Sequence, residues 1–307
     1  LAALAVFTMA PAFDLPTAMW QVVPHVEGEL RTPKVTKTKA VLCIPGLYPH
    51  PLRPEKATRP ELHPWFEPKA PLLAALAPDF DVYAFGYAQT LPVDAVANCT
   101  GLREGIEKLK DAGYREIVLV GHSAGGLVAH QFAERFPASG VTKIIPVAAP
   151  YIGSDLAEIN IGLPKTQVSY IKSLAPQPRV ACLKESAAFP KHIEYCTILC
   201  KVSRLPNDIM VSLESQWPPE IRQQGLPATL VNANHFEILK SPVGVNTVVD
   251  LAGSKLIRWS EDDTKKAAAI IYSKQADGAA AQMAPRKERP ILKRAGDLLE
   301  RFLGDRV

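Results

Sequence analysis

An α/β fold built on a mostly parallel sheet is predicted by three observations. Short apolar, β-branched runs recur along the chain, and segments with helical periodicity lie between them. One run, Ile117-Val-Leu-Val120, has the continuous apolar character of a strand covered on both faces. With 307 residues, 47% hydrophobic and 21% charged content, the chain can bury one substantial core carrying extensions, and a disordered chain is excluded. The 28 prolines cluster in stretches such as Pro45 to Pro68, where neither a helix nor a central strand is expected, so these read as loops.

In chain order, residues 1–30 form an N-terminal extension. Leu1 to Ala12 combines a short apolar run with Ala10-Pro11-Ala12, which resembles a signal-peptide core and cleavage site; a packed N-terminal helix is the alternative to export. Residues 31–260 form the main domain. Ala40 to Ile44 is its first clear strand, followed by Asp81 to Phe85, Ile117 to Val120, Ile144 to Ala148, Thr197 to Val202 and Ala228 to Ala233. Leu102, Ile106 and Leu109, and then Val128, Phe132 and Phe136, recur at helical spacing and mark two helices packed on the sheet. Regularity fails from Tyr151 to Tyr195, a length that suits a lid or cap better than a plain connection. Residues 261–307 read as a charged, alanine-rich linker and then an amphipathic helix from Ile291 to Leu303, which would pack on the body, on a partner or on a membrane surface.

Charge and cysteine content narrow the functional classes. The net charge of +4 comes from the tail: Lys255 to Val307 holds twelve Lys/Arg against eight Asp/Glu, leaving the rest balanced at 23 against 23. A neutral body offers no basic face for nucleic acid. Five cysteines at irregular spacing imply no disulfide framework. No metal site is expected from His192, Cys196 and Cys200, since the two cysteines share one strand face and suit packing, and no nucleotide cofactor is expected, there being no glycine-rich phosphate turn. Asn98-Cys99-Thr100 fits a glycosylation acceptor but adjoins a helix.

The chemistry resides in Gly121-His122-Ser123-Ala124-Gly125-Gly126, placed between a buried strand and an amphipathic helix. A serine on such a turn must adopt a strained conformation, and glycines at 121 and 125 remove side chains that would collide there. The helix N-terminus behind it favours developing negative charge. This run resembles the nucleophile elbow of α/β-hydrolases, in particular of lipases and deacylases resembling GPI-inositol deacylase. Val147-Ala-Ala-Pro-Tyr-Ile-Gly153-Ser154 is similar to a further run of that branch, with Tyr151 where histidine is usual. The resemblance spans Ala40 to about Val249 and implies an α/β-hydrolase fold with serine-dependent ester cleavage.

A serine nucleophile requires a base. His235 ends the last strand in an Asn-His-Phe-Glu-Ile-Leu run similar to the family's, and completes the order serine, acid, histidine. Asp208, in Pro206-Asn-Asp-Ile-Met-Val211, is the expected acid, with Asp155 and Glu214 in reserve. The oxyanion donors are expected at the main-chain N–H groups of Ala124 and of Leu47, the latter in a Pro45-Gly46-Leu47 turn similar to the family's His-Gly turn. Among the other histidines, His122 is expected in a packing or supporting place, His130 on a helix, His50 at the site mouth or in solvent, and His25, His63 and His192 in solvent. The expected substrate is a small-molecule or lipid ester. Acyl transfer or thioester cleavage at the same site, and a non-catalytic binding role, are the rival readings.

Overall fold

The computed structural model describes residues 14–48, 50, 53–158, 165–203 and 205–273. Eight strands build one sheet: β1 (Thr17–Val23), β2 (Lys39–Ile44), β3 (Asp81–Tyr87), β4 (Glu116–His122), β5 (Lys143–Val147), β6 (Glu194–Tyr195), β7 (Thr197–Lys201) and β8 (Ala228–Asn232). Their order is β1-β3-β2-β4-β5-β7-β8, with β6 also pairing β5. Every pairing is parallel except β1 with β3. The helices, in chain order, are α1 (Pro71–Leu76), α2 (Val93–Ala97), α3 (Thr100–Asp111), α4 (Ala124–Arg135), α5 (Val168–Lys172), α6 (Pro176–Glu185), α7 (Leu213–Gln216), α8 (Pro219–Arg222), α9 (Pro242–Gly253) and α10 (Glu261–Ile271).

Alternate residues of the central strands feed two separate cores. Ala40, Leu42 and Ile44 of β2 join Leu119 of β4 and Leu127 of α4 on one face. Val41 and Cys43 join Val118, Val120 and Val248 of α9 on the other. Both faces are therefore dry, which is why these strands read as unbroken apolar runs. Cys196 and Cys200 lie in this second core as buried free thiols. Burial pushes Cys196 up to about 12, so it packs as an apolar group.

Among the described residues the first strand is not β2 but β1, an antiparallel edge strand inside the region expected as an extension. The stretch expected as linker from 261 likewise begins with α10. Ser260 caps it by accepting from the Asp263 N–H, and Ala267 and Ile271 enter the core. The α10 helix seats Tyr272 against Trp217, whose main-chain oxygen accepts from the tyrosine hydroxyl. Residues 1–12 and the helix expected at 291–303 lie outside the described residues. Among the described residues, no helix is long and apolar enough to cross a membrane.

Lys143, at the start of β5, reaches the opposite end of the sheet from Ser123. Its buried ammonium donates to the carbonyls of Leu251 (3.1 Å), Ala252 (2.9 Å) and Ser254 (2.5 Å), and lies 3.4 Å from Glu194. It thereby satisfies the exposed carbonyl end of α9 with a cation, as the helix dipole favours.

Candidate active site

Ser123 alone joins β4 to α4, at φ 52° and ψ −125°. A positive φ on a residue with a side chain costs of order 1–3 kcal/mol and persists only where the surroundings enforce it. Here they do so in three ways. The Ser123 N–H donates to the Val147 oxygen at 2.8 Å. A Cβ on Gly121 would strike the main chain of Gly125, and one on Gly125 would strike the carbonyls of Ile44 and Pro45. Those glycines let the helix close on the strands, and Ala124, fully buried, begins the helix with its amide among the N-terminal donors.

The loop after β2 lies on the same elbow. A Cβ built on Gly46 would stand 2.6 Å from the Ser123 Cβ and 3.2 Å from the Ala124 nitrogen, so only a bare main chain fits. The Tyr87 hydroxyl donates to the Pro45 oxygen at 2.7 Å, and the Gln89 amide to the Gly46 oxygen at 2.9 Å. Leu47, the next residue, is half-buried.

Asp208 and His235 meet from the loops after β7 and β8. Asp208 Oδ2 lies 2.6 Å from His235 Nδ1. Its Oδ1 accepts from the Met210 and Val211 N–H groups at 2.9 and 2.7 Å, and its main-chain oxygen accepts from the His235 N–H at 3.0 Å. The aspartate is 0% exposed. With the acceptor carboxylate on Nδ1, the neutral imidazole carries its proton there and leaves the Nε2 lone pair free for proton transfer. Asp155 is exposed and Glu214 is paired with Arg222, so neither reserve acid stands in this place.

His122, next to Ser123 in the chain, packs on His235. Its Nε2 lies 2.9 Å from the His235 main-chain oxygen, and the two rings are 4.7 Å apart. Thus His235 packs on the residue immediately before Ser123, 113 positions earlier in the chain. A row of rings continues from His122 through Trp65 (4.3 Å) and His63 (4.6 Å) to Tyr48 (4.9 Å), in the loop following Leu47. His63 is therefore buried, contrary to the solvent position expected for it. Burial, aided by Lys240 and His50, lowers it to about 4, and burial beside His235 and His63 holds His122 well below the ordinary imidazole value.

His50 lines a small pocket with Tyr48, Glu61, His63, Tyr87 and Gln89, next to the Pro45 loop. His25 is exposed and His192 is hydrogen-bonded to the Pro137 oxygen. His130 is buried on α4 beside Glu134 at 3.1 Å. Among the described residues no group of three His, Cys, Asp or Glu side chains is arranged to hold a metal ion. Asn98 closes α2, its side chain bonded to the Asp94 oxygen.

The profile described as "Alpha/beta hydrolase family" matches residues 41–300. The chain belongs to this family. Among solved structures, this α/β-hydrolase is similar to the mature form of the Bacillus licheniformis lipase BlEst2, with a TM-score of 0.56 and 14% identity over 77% of this chain and 97% of that one. It is also similar to the phospholipase PlaB from Legionella pneumophila, with a TM-score of 0.51 and 10% identity over 76% of this chain and 62% of that one. No curated protein matches the hydrolase. The likenesses bear out the mostly parallel, helix-flanked fold.

The residues that sequence reasoning did not single out are Gln89, Gln167 and Trp65. Lone glutamines in irregular segments carry no periodic or motif signal. Four large apolar side chains also stand exposed nearby in sequence: Leu156, Leu205, Ile209 and Phe236. Ile209 and Phe236 directly follow Asp208 and His235.

Proposed function

We propose that this α/β-hydrolase cleaves carboxylic esters through a Ser123 acyl-enzyme. The reading rests above all on the Asp208–His235 pair, which leaves an unprotonated Nε2 on a ring packed against the elbow. In acylation, Nε2 accepts the proton of Ser123 Oγ as Oγ attacks the ester carbonyl carbon. The carbonyl oxygen takes the electron pair and faces the N–H groups of Leu47 and Ala124. Collapse of the tetrahedral intermediate expels the alcohol, which takes the proton from Nε2. Water then repeats the sequence on the acyl-serine, giving a carboxylic acid and free Ser123. Asp208 keeps the tautomer and balances the imidazolium throughout.

The exposed Ile209 and Phe236 beside the acid and base favour an apolar acyl or alcohol group over a charged one. Two structural neighbours, one a lipase and one a phospholipase, agree with a lipid-like ester. A fluorophosphonate probe is expected to label the wild type and to leave Ser123→Ala unlabelled; equal labelling of both would place the nucleophile elsewhere. A panel of p-nitrophenyl esters from acetate to palmitate should show turnover that increases beyond the shortest acyl chains. Products formed with competing alcohol acceptors distinguish hydrolysis from acyl transfer.

A further inference from the structure

Within the segment 151–195, expected as a lid or cap, one described residue makes a specific set of contacts. Gln167, fully buried at the start of α5, inserts its side-chain amide into the loop after β2. Its Nε2 donates to the Tyr48 oxygen at 3.0 Å and to Gln89 Oε1 at 3.1 Å, while its Oε1 accepts from the His50 N–H at 3.1 Å. Gln89, which follows β3, is also buried. Its Nε2 donates to the Gly46 oxygen at 2.9 Å, and its Oε1 accepts from the Tyr48 N–H at 3.0 Å. Two amides therefore bind the main chain on both sides of Leu47.

The oxygen of Gly46 and the N–H of Leu47 belong to one peptide unit, which is planar and trans, so they point in opposite directions. Fixing that oxygen on Gln89 fixes the direction of the Leu47 N–H. The Gln89 amide cannot reverse, because its Oε1 already accepts from both Tyr48 and Gln167, and a reversed amide would set two pairs of donors against each other. Tyr170 of α5 adds a third tie, its hydroxyl 2.7 Å from that of Tyr87, which holds the Pro45 oxygen.

We infer that Gln89 is a positioning residue that aims the Leu47 N–H at the reacting carbonyl oxygen, and that Gln167 locks Gln89 in the orientation this requires. The inference rests on the ester-cleaving reading of the site. It makes α5 a support of the oxyanion loop.

The decisive experiment compares wild type, Gln89→Glu and Gln167→Leu in the full chain. Gln89→Glu keeps shape and acceptor but loses the donor to Gly46. It is expected to lower kcat about 10²-fold, the scale of losing one oxyanion donor, while KM changes less than threefold. Gln167→Leu is expected to lower kcat about tenfold. A trifluoromethyl ketone, which places an oxyanion in the site, should weaken in proportion to the loss in kcat/KM, and the shape of the pH–rate profile should not change. Hydrogen exchange at the Tyr48 amide should quicken in Gln167→Leu without a change in melting temperature large enough to unfold it. Activities within threefold of wild type, a loss confined to KM, an unchanged ketone affinity or an unchanged Tyr48 exchange would each overturn the inference. A wild type that neither labels with fluorophosphonate nor turns over esters would overturn the ester-cleaving reading and this catalytic role with it; quickened Tyr48 exchange in that same case would identify a clamp that serves folding alone.

Discussion

Asp208 and His235 meet through side chains, on a carboxylate that two amides and an imidazole saturate. Gly46 approaches Ser123 as bare main chain, and the groups that hold its loop come from β3, the residues after it and the start of α5. The first half of the site depends on residue identity at the site itself. The second depends on space, and on amides whose own positions have no contact with the reacting atoms. Damage to the first half should therefore be large and confined to one substitution, whereas the second can be weakened from several directions.

Four outcomes would sharpen or break that contrast. The largest is expected for Asp208→Asn, which keeps the shape but donates where it should accept: a fall in kcat of about 10⁴ with ester affinity retained, measured by steady-state kinetics. A fall under tenfold would mean that the side-chain half matters less than its geometry suggests. Next is Gly46→Ala, whose Cβ would meet Ser123 Cβ at 2.6 Å. The loop must move away, with an expected loss of about 10²–10³ in kcat, a folded circular dichroism spectrum, and slower fluorophosphonate labelling.

The ring row from Tyr48 to His235 joins the two halves, and its buried imidazoles set the third outcome. His63 titrates at about 4 in the fold against an ordinary 6.5, so between these values the unfolded chain binds the proton and the folded one does not. Stability is then complete above pH 6.5 and is lost as pH falls toward 4, by about 3 kcal/mol for this residue. Urea melts at pH 7 and 4.5 should show that loss, and His63→Phe should remove much of it. The smallest outcome concerns Ile209, at φ 87° and 55% exposed. Ile209→Gly relieves a conformation that β-branched residues resist and should stabilise the fold by about 1 kcal/mol in the same melts.

The unequal legibility of the two halves follows from the same contrast. Strands β2 to β5, β7 and β8 were readable because burial on both faces demands largely apolar runs, whereas the two-residue β6 fell inside the stretch read as irregular. Ser123, Asp208 and His235 were readable as residue types in a fixed chain order, and the structure brings the last two together. By contrast, β1 has a partner on one side only, and its Thr-Ala-Met-Trp-Gln-Val-Val sequence mixes polar and apolar residues between Pro16 and Pro24, so no periodic signal marks it. The α10 helix did carry a signal, Ser260 followed three residues later by Asp263, with Thr264, Ala267 and Ile271 on one face; its charged surroundings suggested a linker instead. Gln89 and Gln167 were invisible for a deeper reason. What they bind is main chain, which every sequence has, so their meaning exists only once the loop is folded against them.

Lys143 carries a consequence for ionic strength. Its ammonium is enclosed by three carbonyl oxygens at the end of α9, where dissolved ions do not reach, whereas the Glu261–Lys265 pair on α10 stands in open water. Brine should strip the attraction from the exposed pair and leave the buried rivet intact, so the floor of the sheet would keep its hold on α9 in surroundings where surface charge pairing has ceased to count.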